Sequence, residues 1–125
     1  MIVARLAACA ITAAPFLAAA QNFPSKPIRV IGVTAAGSTS DVIARTLGDR
    51  MSQALGQPWV VENRLGASGI IGTEMVARAP ADGHTLLLAS STTIALPAMS
   101  SKLTFDITKD LVPVIWICSS PNVLI

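Results

Sequence analysis

Cysteine is nearly absent from this chain, histidine occurs once, and charge is sparse. The two cysteines are Cys9 and Cys118. If Cys9 departs with an N-terminal leader, Cys118 stands alone. That excludes an intrachain disulfide, and a lone cysteine in an apolar stretch reads as core. The one histidine, His84, has no second histidine, cysteine or carboxylate cluster near it in sequence, so metal ligation is unsupported. It reads as a surface residue beside the Asp82-Gly83 turn. Charged residues make up 13% of the chain and form no basic run, which leaves nucleic acid without an electrostatic footprint. The apolar run near the start is too short to span a membrane.

What is present begins with that run. Met1 to Arg5 is a short basic start, Leu6 to Leu17 is apolar and Ala-rich, and Ala18-Ala19-Ala20 offers an A-x-A cleavage site before Gln21. This order is that of a secretory signal peptide and removes residues 1–20 from the fold. The alternative, a buried N-terminal helix, lacks both a cap and a polar face. Leu6-Ala7-Ala8-Cys9 has the form of a lipoprotein box. The apolar segment, however, lies mostly after Cys9 rather than before it, the reverse of what lipidation requires. Cleavage leaves about 105 residues, near neutral with eight Lys and Arg against seven Asp and Glu, enough for one small α/β domain. At the far end, Leu111–Cys118 and Val123–Ile125 read as apolar strands flanking a Ser119-Ser120-Pro121-Asn122 turn. Domains rarely stop on a bare apolar strand, so residues 21–125 are expected to be the N-terminal portion of a longer protein.

Between these ends the pattern alternates. Phe23-Pro24-Ser25-Lys26-Pro27 is an extended lead-in, since two prolines exclude helix. Ile28 to Thr34 is a strand. A helix from about Ser40 to Leu55 carries Ile43, Leu47, Met51 and Leu55 on one face, with Gly56 and Pro58 ending it. Trp59 to Glu62 is a second strand and Asn63–Gly69 a glycine-rich turn. A second helix from about Ile70 to Ala79 is expected to bury Ile71, Met75 and Val76 and to pair Glu74 with Arg78. His84 to Ala89 is a third strand, and Ser90-Ser91-Thr92-Thr93 a small polar loop. The order β-α-β-α-β predicts an α/β fold with a parallel sheet and right-handed crossovers. If the second and third strands flank the first, a topological switch point lies between strands one and three. Ligands bind at such points, outside the carboxyl ends of the strands.

The two loops meeting there are small, hydroxylated and almost uncharged. The first, Ala35–Ser40, opens onto a helix N-terminus, whose unpaired backbone N–H groups and partial positive charge suit an anion, a carboxylate above all. Ala36, Gly37, Ser38, Thr39, Ser40 and Asp41 are therefore candidate ligand-binding residues, although Asp41 also fits a capping role in the first helical turn. A tight turn without a ligand is the alternative for the loop as a whole. Gly32 to Thr39 has the glycine spacing of a P-loop, but Ser38 stands where its lysine belongs, so nucleoside triphosphate chemistry is unsupported. Gly66, Gly69 and Gly72 do not form a dinucleotide fingerprint, and Ser68 lacks the second flanking glycine of a nucleophile elbow.

A longer set of motifs resembles one family. Phe23-Pro24-Ser25-Lys26-Pro27-Ile28-Arg29 comes first, then Gly37-Ser38-Thr39-Ser40-Asp41 with Ala44-Arg45. Val60-Val61-Glu62-Asn63-Arg64, Gly66-Ala67-Ser68-Gly69 and Ala77-Arg78-Ala79-Pro80-Ala81-Asp82-Gly83-His84-Thr85-Leu86-Leu87 follow, and later Phe105-Asp106 and Lys109-Asp110-Leu111-Val112-Pro113-Val114. Collinear over nearly the whole mature chain, they are similar to the Bug-type solute receptors of tripartite tricarboxylate transporters. The resemblance implies a lobe of a type 2 periplasmic-binding-protein-like fold, here incomplete, from a two-lobed receptor that closes on a small carboxylate. It also implies a periplasmic location, membrane transporter subunits as partners, no cofactor and no catalysis. In the first lobe, Ala36–Ser40 and a second loop of Ser91, Thr92 and Thr93 would touch the ligand. Two positions depart from the family: Val33-Thr34 replaces an entering Pro-Phe, and Ser38 replaces a second glycine. Losing an aromatic wall alters the pocket's shape.

Two other classes stay open at this point. A small α/β hydrolase or transferase needs a general base near the loops, where the chain offers only His84 and a few carboxylates. An exported gene remnant that binds nothing is the other.

Overall fold

The computed structural model describes residues 22–119, and its organising element is β1 (Ile28–Gly32). This strand has a neighbour on each side, β2 (Trp59–Asn63) and β3 (Thr85–Leu88), all parallel in the order β2-β1-β3. A middle strand is covered on both faces and so reads as an almost unbroken apolar run. Ile28, Val30, Ile31 and Gly32 are buried, and only Arg29 reaches solvent. Gly32 lies level with both Asn63 and Leu88, so the three carboxyl ends finish together along one edge.

Helix α1 (Thr39–Leu55) crosses from β1 to β2, and α2 (Ile70–Ala77) crosses back from β2 past β1 to β3. Right-handed crossovers running in opposite directions put the two helices on opposite faces. Side-chain parity agrees. Trp59, level with Ile28, meets Gly48 of α1, while Val33, in phase with Ile31, meets Gly69 and Gly72 around the start of α2. The boundaries follow local chemistry: Ser38 caps α1, and Gly56 ends it in a left-handed conformation with its N–H on the Ser52 carbonyl.

Several expectations change. The row Ile43, Leu47, Met51 and Leu55 is not the buried face of α1; Ile43, Met51 and Leu55 are half-buried and Leu47 is exposed, while Asp41, Ala44 and Gly48 are buried instead. The indole of Trp59 requires a groove of small residues, and a helix can approach a strand closely only along such a stripe. Likewise α2 buries Gly72, Thr73 and Val76, whereas Ile71 is exposed and Met75 half-buried. Glu74 and Arg78 pair at 2.7 Å, as their spacing predicts. The Ser90–Thr93 segment is not a loop: Ser90 caps α3 (Ser91–Met99), which a short helix, α4 (Ile107–Asp110), follows. Leu111–Cys118 is not a strand. It is irregular and mostly exposed, because among the described residues no strand lies alongside to pair with its backbone. His84 is buried rather than at the surface, since the lead-in folds over it. The leader, its cleavage site, Cys9 and Val123–Ile125 lie outside the described residues.

Two consequences are measurable. A Cβ on Gly48 would stand 2.7 Å from Cδ1 of Trp59, an atom fixed in the ring and anchored to β2. Gly48→Val therefore forces α1 off the sheet. Overpacking of this kind costs about 1–3 kcal/mol, and the melting temperature should fall by roughly 5 °C or more. Unchanged thermal denaturation would show that the contact yields freely.

Glu62 accepts two hydrogen bonds from Arg29, at 2.8 and 3.1 Å, and one from Arg64 at 2.9 Å. Hydrogen bonding by Arg29, then by Arg64, lowers its pKa from 4.5 to about 2. A carboxyl held below its unfolded value contributes stability that is complete above that value and is lost as pH falls through the folded one. Urea denaturation across pH should thus show the contribution of Glu62 complete above about pH 5 and falling from about 4.5 toward 2. In Glu62→Gln that fall should be shallower; an identical acid limb would remove Glu62 from the cause.

Candidate functional site

The segment Val33–Ser38 leaves the carboxyl end of β1 and enters α1 through a tight turn. Its Ser38 N–H donates to the Ala35 carbonyl at 3.1 Å, and Gly37 adopts φ +79°, where side-chain-bearing residues are strained. Asp41, in the first turn of α1, is only 3% exposed. Its carboxylate accepts the Gly37 N–H at 2.8 Å and two contacts from Arg45 Nε at 3.1 Å, with Arg45 Nη2 at 3.0 Å. Hydrogen bonding by Arg45 first, then by the Gly37 amide, outweighs burial and lowers its pKa to about 2. Arg45 also donates to the Asn63 side chain at 3.0 Å, and Asn63 Nδ2 donates to the Thr34 carbonyl at 3.1 Å. The loop is thereby tied at both ends to the tip of β2.

Above this tie sits a cluster of hydroxyls. Ser38 Oγ donates to Thr34 Oγ1 at 3.0 Å, and Ser40 Oγ lies 2.9 Å from Thr34 Oγ1 and 3.4 Å from Ser38 Oγ. Ser38 Oγ also caps α1, at 3.4 Å from the Asp41 N–H. The N–H groups of Thr39 and Ser40, the first two residues of α1, have no partner among the described residues. Backbone donors, hydroxyls and the positive end of a seventeen-residue helix therefore converge at the carboxyl edge of the sheet.

The second segment begins one strand away. Ser90 leaves β3 at that same edge, and its N–H donates to Thr93 Oγ1 at 3.2 Å. The Thr93 N–H goes to the Ser90 carbonyl at 3.0 Å, and Ser90 Oγ is buried with no partner among the described residues. Thr93 is buried and committed to this cap, whereas Ser91 and Thr92 are exposed on the first turn of α3.

Of the nine residues singled out from sequence, Ala36 to Ser40 lie together on the first loop and helix start. Asp41 lies beneath them, turned inward. Ser91 and Thr92 face solvent across the sheet's edge, and Thr93 points inward. Sequence reasoning passed over Thr34, Arg45 and Asn63, which complete the hydroxyl cluster and the tie. The i, i+4 spacing of Asp41 and Arg45 was the available signal for one of them.

Among the described residues, no histidine stands beside these loops. His84 precedes β3 and so lies at the amino end of the sheet, and the carboxylate beneath the loop is held ionised by Arg45. Among the described residues no three His, Cys, Asp or Glu side chains come together as a metal site, and no helix is long and apolar enough to cross a membrane. Two open concavities, each about 380 Å³, share Lys26 and His84 at the amino end, away from the hydroxyl cluster.

Comparison with known proteins places this geometry in a family. Residues 43–125 match the tripartite tricarboxylate transporter family receptor, TctC. The chain is 42% identical over 109 residues to protein BugT of Bordetella pertussis, covering 85% of this chain and 33% of BugT. It is 52% identical to a solved periplasmic transporter, with a TM-score of 0.63 over 67% of this chain and 29% of the other. It also superposes on MatC of Rhodopseudomonas palustris with bound malate, at a TM-score of 0.65 and 38% identity, covering 70% of this chain and 30% of MatC. The chain spans about a third of the length of the curated relatives it matches. The family is one of transport receptors rather than enzymes, its solved members share this parallel α/β fold, and the chain belongs to it as a Bug-type TctC receptor.

Proposed function

We propose that this chain captures a small carboxylate outside the cytoplasm for delivery to the membrane subunits of a tripartite transporter. Residues 21–125 then form the N-terminal portion of the first lobe of a two-lobed receptor, and residues 1–20 its cleaved export signal. Ala36, Gly37, Ser38, Thr39 and Ser40 supply the ligand-facing loop, with Asp41 holding its shape from below. Ser91 and Thr92 contribute from the start of α3. A periplasmic location is supported by the leader pattern and by the likeness to a periplasmic transporter.

The observation that carries this reading is the pair of N–H groups on Thr39 and Ser40 that find no partner among the described residues, beside three hydroxyls and with the loop's own carboxylate facing away. Such a surface offers donors to an anion and presents no like charge against it. The MatC structure holds malate, a ligand of the chemistry that this surface suits.

Thr39→Pro tests the donors directly. Thr39 is the first helical residue, where proline is tolerated, and Ser38 before it has ψ 162°, which a following proline accepts. The substitution deletes one N–H and leaves the helix in place. A hydrogen bond to a charged group contributes about 1.5–3 kcal/mol, so affinity should fall about tenfold or more with an unchanged melting temperature. Calorimetric titration with malate, succinate and citrate measures it. Equal affinities in both proteins would take this amide out of the site, and no binding by the unmodified protein would overturn the functional reading.

A further inference from the structure

At the amino end of the sheet the lead-in Asn22–Pro27 crosses the segment before β3 and is fastened there by His84. The imidazole is 7% exposed, with the Phe23 ring set edge-on at 4.9 Å between centroids. Two hydrogen bonds define its protonation. The Ser25 backbone N–H, which can only donate, points at Nε2 at 3.2 Å, so Nε2 must carry a lone pair. Nδ1 lies 3.0 Å from the Asp82 carbonyl oxygen, which can only accept, so Nδ1 carries the proton. The arrangement is complete for a neutral imidazole.

We infer that His84 is a pH-sensitive clasp, which holds the lead-in to β3 while neutral and lets it go when Nε2 is protonated. A proton on Nε2 sets two donors face to face, and the Ser25 hydrogen bond cannot survive. The charged groups around the ring permit that protonation. Asp82 Oδ1 stands 3.3 Å from Nδ1 and favours an imidazolium, while Lys26, paired with Asp82 at 2.8 Å, opposes it. Arg29 lies across the adjoining groove with its guanidinium engaged by Glu62. Hydrogen bonding by Lys26, then by the His84 backbone N–H, keeps the Asp82 carboxyl at about 2. Asp82 therefore stays ionised whether the ring is neutral or protonated, and its charge is not what switches the clasp. The clasped form binds one proton fewer at this ring, so acid favours release.

This inference stands apart from ligand capture at the opposite edge, and so does its test. Hydrogen–deuterium exchange of the full chain, corrected for the intrinsic effect of pH, should show protection at the Ser25 amide falling at least tenfold between pH 8 and about 5. In His84→Gln, whose side-chain oxygen accepts at any pH, the dependence should vanish. Protection that is flat in the unmodified protein, or that falls equally in the glutamine variant, would overturn the clasp. Because the variant could disturb folding, nitrogen chemical shifts of the ring in the unmodified protein give an independent reading. They should show a protonated Nδ1 and an unprotonated Nε2 at pH 8; the opposite tautomer would overturn the proposal.

Discussion

The loop between β1 and α1 keeps its shape because the Asp41 carboxylate is buried against the helix start, where burial alone would favour its neutral form. Arg45 and the Gly37 amide reverse that preference, and the charge that results is satisfied entirely from within. Arg45 is thereby aimed at Asn63, and Asn63 at the Thr34 carbonyl. One ion pair thus links Thr34 near the start of the loop, the third residue of the helix and the end of a neighbouring strand. The hydroxyls of Thr34, Ser38 and Ser40 can converge only because these three points are held together.

That tie works only if α1 lies close to β2, and small residues make this possible. Ala44 and Gly48 present almost no side chain toward the sheet, so Trp59 fits against the helix axis. On the other face Gly72 lies against Val33 and the Arg64 carbonyl, where a Cβ would come within 2.9 and 3.0 Å. Both contacts sit on chain segments that lead to or from the carboxyl edge. The packing that stabilises the sheet therefore also sets the spacing of the loops above it.

The first three strands and the first two helices were legible in the sequence because their bounds depend on local signals. The glycine stop at Gly56, the turn at Asp82-Gly83 and the apolar run Ile28–Val33 act over a few residues. The buried face of α1 was not legible, because periodicity registers large apolar residues and the face is built from Asp41, Ala44 and Gly48. Ser90–Thr93 has loop composition, and only the tertiary position of β3 reveals it as a helix cap. His84 looked like a surface residue because the partner that buries it, Phe23, lies far earlier in the chain. Thr34, Arg45 and Asn63 escaped for a related reason: each is ordinary alone and gains its role from the register that brings Gly32 level with Asn63.

The outward face of the site is dipolar rather than charged. Asp41 and Arg45 neutralise each other beneath it, and what remains above consists of hydroxyls, two amides without a partner among the described residues and a helix terminus. A free lysine or arginine there would bind an anion strongly and would distinguish poorly among anions. Directed N–H and O–H donors act over a shorter range and demand that a carboxylate's oxygens sit in particular places. On the proposed reading, the protein recognises its ligand by the geometry of donors that Asp41 holds in position. Anything that weakens that inward pair then degrades selectivity before it unfolds the chain.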